Sequence, residues 1–197
     1  MIDKKLEKDI EFIVELDKMK SILRQTRLID RSRRENDAEH SWHISVMALL
    51  LSEYADEDVD VCKVIKMLLI HDVVEIYAGD TFCYDVEASK DKKERELKAA
   101  DKIFGILEEK KGRELRALWE EFEEKKTKEA LFAASMDRLQ PFLNNYYSDG
   151  GTWKRFNVSK SAIYERIAPL KNSSKELWKF ARNMIEDSFD KGYIRRE

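Results

Sequence analysis

The stretch Met67-Leu68-Leu69-Ile70-His71-Asp72-Val73-Val74-Glu75-Ile76 places three ionisable side chains inside an otherwise apolar run. An unpaired carboxylate is costly to bury, so an aspartate in such a run needs a compensating partner. A divalent metal ion bound by His71 and Asp72 would supply that compensation. This stretch is therefore the centre of a predicted metal site.

The residues around this stretch repeat with the period of an α-helix, which we predict from about residue 61 to residue 77. Asp72 shares one stripe of this helix with apolar side chains, and His71 lies one turn before Glu75. The three ionisable side chains can therefore converge on one site. Gly79 is expected to end the helix, because glycine readily adopts the backbone conformation found after a helix C-terminus.

A second helix is predicted to begin near Asn36. Asn36 and Glu39 have the spacing of a capping box, in which each side chain satisfies a backbone N–H group of the other residue. His40 would then lie in the first or second turn, with apolar residues behind it on the same face. This placement directs His40 inward, where it is either a metal ligand or a hydrogen-bonded histidine of the core.

A third element, predicted over residues 127–147, carries Asp137. Small side chains share the helical face of Asp137, namely Ala130, Ala133 and Ala134. These residues would let other backbone segments approach closely where the carboxylate projects. Pro141 should bend the helix just beyond Asp137, because proline removes a backbone donor and crowds the preceding turn. An ordinary ion pair with Arg138 is the alternative role of Asp137.

The fold is expected to be all-α. Helical periodicity recurs along nearly the whole chain, and 6 glycines and 2 prolines provide few of the turns that an all-β fold needs. A length of 197 residues suits one domain with its own core, so we expect a single helical bundle over residues 1–197. Its metal site would use about residues 36–140, and helices near 161–170 and 175–190 would complete the core.

Charge and hydropathy exclude several functional classes. A net charge of -3, with both signs spread along the chain, provides no basic field for a nucleic-acid polymer. The first residues are too charged for a signal peptide, and the apolar runs are shorter than the roughly 20 residues of a membrane span. The two cysteines form no CxxC pair and indicate no disulfide framework. We expect a cytoplasmic protein that does not enter a membrane.

Together, His40, His71, Asp72 and Asp137 form a set of two imidazoles and two carboxylates. Such a set suits a divalent ion such as Mn, Fe, Co, Ni or Zn and leaves coordination positions open for water and substrate. Each residue alone is weak support for a metal. Their combination predicts one bound divalent ion.

The same four residues reproduce an H…HD…D signature, and in this respect the chain resembles the HD-domain phosphohydrolases. Further strings resemble one branch of that superfamily, the bacterial 5'-deoxynucleotidases and the oxetanocin-type HD proteins: residues 33–43, 71–75, 79–80 and 137–141. The similarity covers most of the chain. It implies an all-α HD fold, a single catalytic metal on these four residues, a nucleotide substrate and a homodimer. Aromatic residues at 146–147 and 153–156 would serve either the dimer interface or the core.

The resemblance also implies a reaction, the removal of phosphate from 5'-(deoxy)nucleoside monophosphates by a metal-activated water. In the resembling nucleotidases the glutamate of the HDxxE string and a nearby aspartate are functional, which corresponds to Glu75 and Asp80 here. Glu75 would orient or deprotonate the water. Asp80, at the rim of a predicted loop over residues 81–89, would protonate the leaving 5'-oxygen or contact the sugar. Its alternative role is to form a turn after Gly79.

A basic connector between the first two helices is the expected source of phosphate donors, because guanidinium groups bind phosphate oxygens in a fork. The candidates are Arg24, Arg33 and Arg34. In the resembling nucleotidases an arginine followed by a bulky aromatic residue precedes the first histidine, whereas Gln25 follows Arg24 here. Base and sugar recognition are therefore expected to differ. The alternative to phosphate binding is that these arginines lie in a solvated loop and only increase solubility.

Other functions share the HD fold. Phosphodiesterases with two metals need additional histidines, and this chain has 3 in total, which favours one metal. A ppGpp hydrolase and a nucleoside triphosphohydrolase remain alternatives within the superfamily. The non-catalytic alternative is a metal-stabilised binding or scaffold module, and the presence of both Glu75 and Asp80 argues against it.

Overall fold

A computed structural model describes residues 3–85, 87 and 90–195 of the chain. The described residues form a helical bundle with one small hairpin, so the prediction of an all-α fold class is confirmed. The helices are α1 (Lys4–Leu16), α2 (Asp37–Leu51), α3 (Val61–Ile70), α4 (Glu75–Ala78), α5 (Lys92–Phe104), α6 (Glu109–Glu124), α7 (Lys128–Tyr147), α8 (Gly151–Arg155), α9 (Lys160–Arg166), α10 (Pro169–Ser173) and α11 (Lys175–Asp190). The predicted loop over residues 81–89 lies partly outside the described residues.

Helices α2, α3 and α7 pack against one another and form the centre of the bundle. The capping box predicted for α2 is present: Asn36 accepts a hydrogen bond from the backbone N–H of Glu39, whose carboxylate accepts one from Asn36. The interior between the three helices is apolar, with Ile44, Leu68 and Met136 fully buried. This packing brings the residues after the start of α2 toward the end of α3.

The prediction of one continuous helix over residues 61–77 is wrong. α3 ends at Ile70, residues 71–74 form turns, and α4 begins at Glu75. The backbone N–H of Val73 bonds to the carbonyl of Ile70 and that of Glu75 to Asp72, three residues back instead of four. The tighter turn rotates the side chains that follow Ile70, which periodicity alone could not reveal.

The basic connector contains two short antiparallel strands that the sequence did not predict, β1 (Leu23–Arg27) and β2 (Arg34–Asn36). Arg27 is paired with Arg34 and Leu23 with Asn36, with an irregularity between them. β1 also contacts α7 and α8, so the hairpin covers one end of the bundle. Charged strands this short carry little period-2 signal, which explains why they read as a loop.

Helix α7 extends beyond the metal-site region into the C-terminal part of the chain. Ala130, Ala133 and Ala134 are fully buried, as their role as a small-residue face requires, and Pro141 lies inside the helix. α10 and α11 pack on α7, and the C-terminal residues Trp153, Leu170 and Ile185 join its apolar core.

Several aromatic and apolar side chains remain at the surface. Trp42 and Leu49 on α2 are 66% and 57% exposed, and Tyr147 at the end of α7 is also exposed. On α1, the buried residue is Phe12, whereas the exposed face carries Ile13 and Val14. None of the described helices combines the length and the apolar character that crossing a membrane would require.

Candidate metal centre

The four proposed ligands come from three separate parts of the bundle. His40 lies in the first turns of α2, His71 and Asp72 in the turns between α3 and α4, and Asp137 in the middle of α7. Nε2 of His40 is 3.1 Å from Oδ1 of Asp137 and 3.9 Å from Oδ2 of Asp72. Nε2 of His71 is 3.0 Å from Oδ2 of Asp72 and 3.8 Å from Oδ1 of Asp137. The side chains therefore meet at one point.

The orientation of His71 is fixed by the backbone. Its Nδ1 lies 2.8 Å from the carbonyl oxygen of Leu68, which can only accept a hydrogen bond, so Nδ1 carries the proton. Nε2 then presents its lone pair in the neutral ring. This atom is buried and has no hydrogen-bond partner among the described residues, although Oδ2 of Asp72 is close. When the His71 ring is neutral, two acceptor atoms face each other here, and an ion shared between them would relieve their repulsion.

A chain of buried polar side chains orients His40. Its Nδ1 donates to Oε1 of Gln140 at 3.0 Å, and Nε2 of Gln140 donates to Glu35 at 2.5 Å and to Nδ1 of His43 at 3.2 Å. The amide oxygen of Gln140 therefore keeps the proton on Nδ1 of His40. Nε2 of His40 is free to face Asp72 and Asp137. Hydrogen bonds of this kind commonly fix the tautomer of metal-binding histidines.

The electrostatic surroundings favour the ionised state of both carboxylates. Burial alone would raise the pKa of Asp72, but the adjacent His71 and Arg24 hold it well below its usual range. Burial likewise opposes ionisation of Asp137, but the nearby His40 and the positive charges of Arg166 and His71 outweigh it and hold its pKa well below the usual range. Both groups are therefore charged at neutral pH, as carboxylate ligands must be.

The two histidines differ in their protonation. Burial and the positive charge of Arg24 lower the pKa of His40 to about 4, so this ring is neutral near pH 7. Burial also lowers the pKa of His71, but the charges of Asp72 and Asp137 outweigh it and raise the pKa to about 9. The excess negative charge around His71 therefore attracts a cation, whether a proton or a metal ion.

The donor set fits a divalent metal. Ligand bonds of about 2.0–2.2 Å place neighbouring ligand atoms roughly 3 to 3.6 Å apart, and the measured separations run from 3.0 to 3.9 Å. Atoms of His40, His71 and Asp72 all lie within 4.8 Å of one another. The unpartnered Nε2 of His71 is the atom that a metal would satisfy. Nitrogen and oxygen donors in this ratio suit the middle and late first-row divalent ions.

Arg24 lies beside this cluster. Its Nη1 donates to Oδ2 of Asp72 at 2.8 Å and to Oδ1 of Asp37 at 3.2 Å. Asp37, the first residue of α2, is fully buried, and burial together with the charge of Asp72 raises its pKa to about 7. Arg24 is thus a largely buried cation that balances the proposed ligand Asp72 and the neighbouring buried acid Asp37.

Glu75 is the buried first residue of α4. Burial and the charges of Asp72 and Asp37 raise its pKa well above the usual range for a carboxyl. Its Oε2 atom has no hydrogen-bond partner among the described side chains. Asp80 follows the left-handed Gly79 and is partly exposed, and burial also raises its pKa. Both proposed catalytic acids therefore lie in surroundings that favour the protonated carboxyl.

Of the three arginines proposed from the sequence, the structure places only Arg24 in contact with a proposed ligand. Arg33 is exposed, and both of its terminal nitrogens bond to Glu39, at 2.8 and 2.5 Å. Arg34 donates to the backbone carbonyls of Leu23 and Arg24, so its side chain is bound to strand β1. The ion pair with Glu39 therefore holds Arg33 at the surface, and hydrogen bonds to the backbone of β1 hold Arg34.

A cavity of about 60 Å³ opens beside the cluster. Its polar wall includes Arg24, Asp80, Arg138 and Arg166, and its apolar wall includes Phe82 and Trp153. Nη2 of Arg166 lies 3.9 Å from Oδ2 of Asp137, so the cavity and the proposed ligands share a boundary. Arg166, the last residue of α9, was not identified from the sequence, and Arg138 was identified only as a possible ion-pair partner of Asp137.

Other residues of the site also escaped sequence reasoning. Glu35 and Asp37 are buried on either side of the N-cap of α2, and acidic residues near a helix start are usually explained by the helix dipole. Gln140 lies one turn after Asp137 on α7, so the two side chains share one face of the helix. This spacing could have identified Gln140 as a neighbour of the site.

Comparisons with known proteins identify the family of the chain. A family model described as HD domain matches residues 16–178. A solved structure of a predicted metal-dependent phosphohydrolase from Magnetospirillum magnetotacticum is 49% identical, with a TM-score of 0.92, and the match covers 96% of this chain and 95% of that chain.

Two curated relatives are similar over part of their length. The 5'-deoxynucleotidase HDDC2 of Dictyostelium discoideum is 32% identical over 117 residues, which cover 57% of this chain and 62% of the relative. The human protein of the same name is 30% identical over 111 residues, 56% of this chain and 53% of the relative. The matches thus span little more than half of these curated relatives. Because the family model covers most of the chain, this protein belongs to the HD domain family.

Proposed function

We propose that this protein is a metal-dependent phosphohydrolase that removes phosphate from 5'-(deoxy)nucleoside monophosphates. The observation that carries the proposal is the meeting of two histidines and two aspartates beside a cavity with an arginine wall. The names of the similar proteins, a metal-dependent phosphohydrolase and 5'-deoxynucleotidases, support the same reaction class.

His40, His71, Asp72 and Asp137 would hold one divalent ion, with Mn, Co, Ni, Fe and Zn as the candidates. When bound, such an ion neutralises phosphate charge and lowers the pKa of a coordinated water. The histidines are prepared for this role by the hydrogen bonds of their Nδ1 atoms to Gln140 and Leu68, which leave both Nε2 atoms facing the cluster.

Glu75 is proposed to orient the attacking water and to take its proton. Burial among other acids raises its pKa, so Glu75 would be a strong proton acceptor once the charge of a bound divalent ion favoured its ionised form. Arg24 holds Asp72 and Asp37 in place and offers further guanidinium N–H groups beside the cluster. Arg33 and Arg34 would contribute to phosphate binding only if they exchanged their present partners for the substrate.

Asp80 lines the cavity, and burial raises its pKa. Both properties support a carboxyl that donates a proton to the leaving 5'-oxygen, and a cavity position is equally suited to a contact with the sugar. The two roles differ in their effect on a substrate with a good leaving group. An Asp80→Asn variant that hydrolyses p-nitrophenyl phosphate normally but nucleotides slowly would support proton donation.

The protein is further proposed to be a single-domain, cytoplasmic homodimer. The exposed aromatic and apolar side chains of α2, Trp42 and Leu49, support an interface between two copies, because aromatic residues are enriched in interface cores. The C-terminal helices share a core with α7, which supports one domain over the whole chain.

The deciding experiment measures free phosphate released from ribo- and deoxyribonucleoside mono-, di- and triphosphates, with each candidate metal supplied in turn. Asp72→Ala serves as the inactive control, and Asp101→Ala, at an exposed position on α5, serves as the matched active control. Release from monophosphates alone, absent only in Asp72→Ala, would support a 5'-nucleotidase. Absence of release from every monophosphate would overturn the proposal and direct the search to phosphodiesters, ppGpp or tripolyphosphate release.

A further inference from the structure

The described charged residues that line the cavity beside the metal centre are mostly basic, with Asp80 as the one acid among them. Three arginines line it, of which Arg24 is paired with Asp72 and Asp37. Arg138 has no carboxylate within 4.0 Å among the described residues, and its buried Nε makes no hydrogen bond. A buried guanidinium N–H group is costly to leave unpaired. Because the described residues offer no acceptor to Nε of Arg138, a bound ligand is the partner that could satisfy it.

Arg166, at the end of α9, lines the same cavity. Its nearest carboxylate is that of Asp137, with Nη2 and Oδ2 separated by 3.9 Å, which is too long for a hydrogen bond. Asp137 is also in contact with His40 and is a proposed metal ligand. The carboxylate of Asp137 is therefore shared between His40, Arg166 and a metal position, and neither Arg138 nor Arg166 has a hydrogen-bonded acid of its own among the described residues.

The size of the cavity limits the group that can enter it. A volume of about 60 Å³ is much smaller than the roughly 300 Å³ or more of sites that enclose a whole small-molecule ligand. It suits a compact anion such as a phosphate group. Guanidinium groups present paired N–H donors that match two oxygens of phosphate, so the type of donor agrees with the charge and the volume.

We infer that Arg138 and Arg166 form the binding subsite for the phosphoryl group that is transferred. The contact between Arg166 and Asp137 supports this group over a more distant phosphate of the substrate, because an anion held there lies against the proposed ligands. The same subsite would hold inorganic phosphate after the reaction. This inference rests on the proposed function for the identity of the substrate, but binding of phosphate itself does not require turnover.

The first test measures the binding of inorganic phosphate by isothermal titration calorimetry, with metal-free protein and with protein loaded with Mn²⁺. Arg166→Gln and Arg138→Gln should each weaken phosphate binding about 10- to 100-fold, the range expected for one charge-assisted hydrogen-bonding group. Arg113→Gln, which removes an exposed guanidinium from α6, is the matched control and should leave binding unchanged. Arg138→Lys keeps the charge and guards against a folding defect in Arg138→Gln.

Equal phosphate affinity in the wild type and in both glutamine variants would overturn the inference, as would a wild type that binds no phosphate at millimolar concentration in either metal state. A second test separates the two sources of phosphate. If Arg166→Gln lowers kcat/KM for monophosphates, the subsite holds the transferred group; a loss confined to di- and triphosphates would contradict that assignment. Phosphate binding that depends on both arginines in a protein inactive on nucleotides would overturn only the proposed function.

Discussion

Nδ1 of His40 lies 3.0 Å from Oε1 of Gln140, a residue 100 positions further along the chain. Gln140 is fully buried, and its amide nitrogen donates hydrogen bonds to Glu35 and His43. Its oxygen is therefore oriented toward His40 by two other contacts, and the imidazole is held in the tautomer that leaves Nε2 free. The proposed metal centre thus depends on a residue that would bind no metal itself.

Replacing Gln140 with methionine should weaken metal binding about 10- to 100-fold, because loss of such an orienting partner usually has that effect. The variant should also lose roughly 1–3 kcal/mol of stability, since Glu35 and His40 lose a buried partner. Metal affinity is measured by competition with a chromophoric chelator, and stability by urea unfolding.

A matched control separates the two effects of this change. Ser135→Ala, also on α7, removes a buried hydrogen bond to Ser173 of α10 and should lower stability while leaving metal affinity intact. If Gln140→Met bound metal as tightly as the wild type, the proposed orienting role would be wrong.

The proposed ligands give a second prediction. Asp72→Ala and His71→Ala should lose the metal and the activity together, because each change removes one of four donors from the cluster. Metal content is measured by inductively coupled plasma mass spectrometry after dialysis, and activity by phosphate release. Full occupancy and turnover in either variant would place the metal elsewhere, whereas Asp101→Ala should behave as the wild type.

Glu75 should behave differently from the ligands. Glu75→Gln preserves the size of the buried side chain but removes its ability to accept a proton, so metal content should stay unchanged while kcat falls about 10²- to 10⁴-fold. Glu120→Gln, an exposed change on α6, is the control. Unchanged turnover in Glu75→Gln would remove this residue from the mechanism, and joint loss of metal and activity would make it a ligand instead.

The local part of the proposed metal centre could be predicted from the sequence. The capping box at Asn36 fixed the start of α2 and hence the inward direction of His40, and the alanines near Asp137 indicated a face on which a carboxylate could approach other helices. Both signals are contained within a few residues of the chain. The apolar run around His71 identified the third part of the site for the same reason.

The parts that escaped prediction depend on contacts between distant segments. The end of α3 at Ile70 results from local hydrogen bonds that compete with helix continuation, and hydrophobic periodicity does not distinguish the two. Arg166 reaches the cavity only because the C-terminal helices pack on α7. Burial of Glu35 and Asp37 likewise depends on tertiary contacts of the hairpin and α2, because their positions near a helix start are typical of exposed acids.

Removal of the metal should destabilise the fold, because the cluster brings two ionised aspartates close together from different elements. Free metal at about 100 times its Kd should add roughly 2.7 kcal/mol of unfolding free energy over the metal-free protein. Thermal unfolding with EDTA and with added metal measures this difference. The effect should vanish in Asp72→Ala; an equal rise in Tm in that variant would mean that the metal binds at another site.

The proposed homodimer can be tested at the surface of α2. Trp42 and Leu49 are two turns apart and lie on one exposed face, so a single buried contact could cover both side chains. Sedimentation velocity at micromolar concentration should give a dimer, and Trp42→Asp should shift it to a monomer with an unchanged circular dichroism spectrum. Tyr147→Asp, at the exposed end of α7, should leave the dimer intact. Dissociation by Tyr147→Asp but not by Trp42→Asp would move the interface to α7, and a monomeric wild type would contradict the dimer itself.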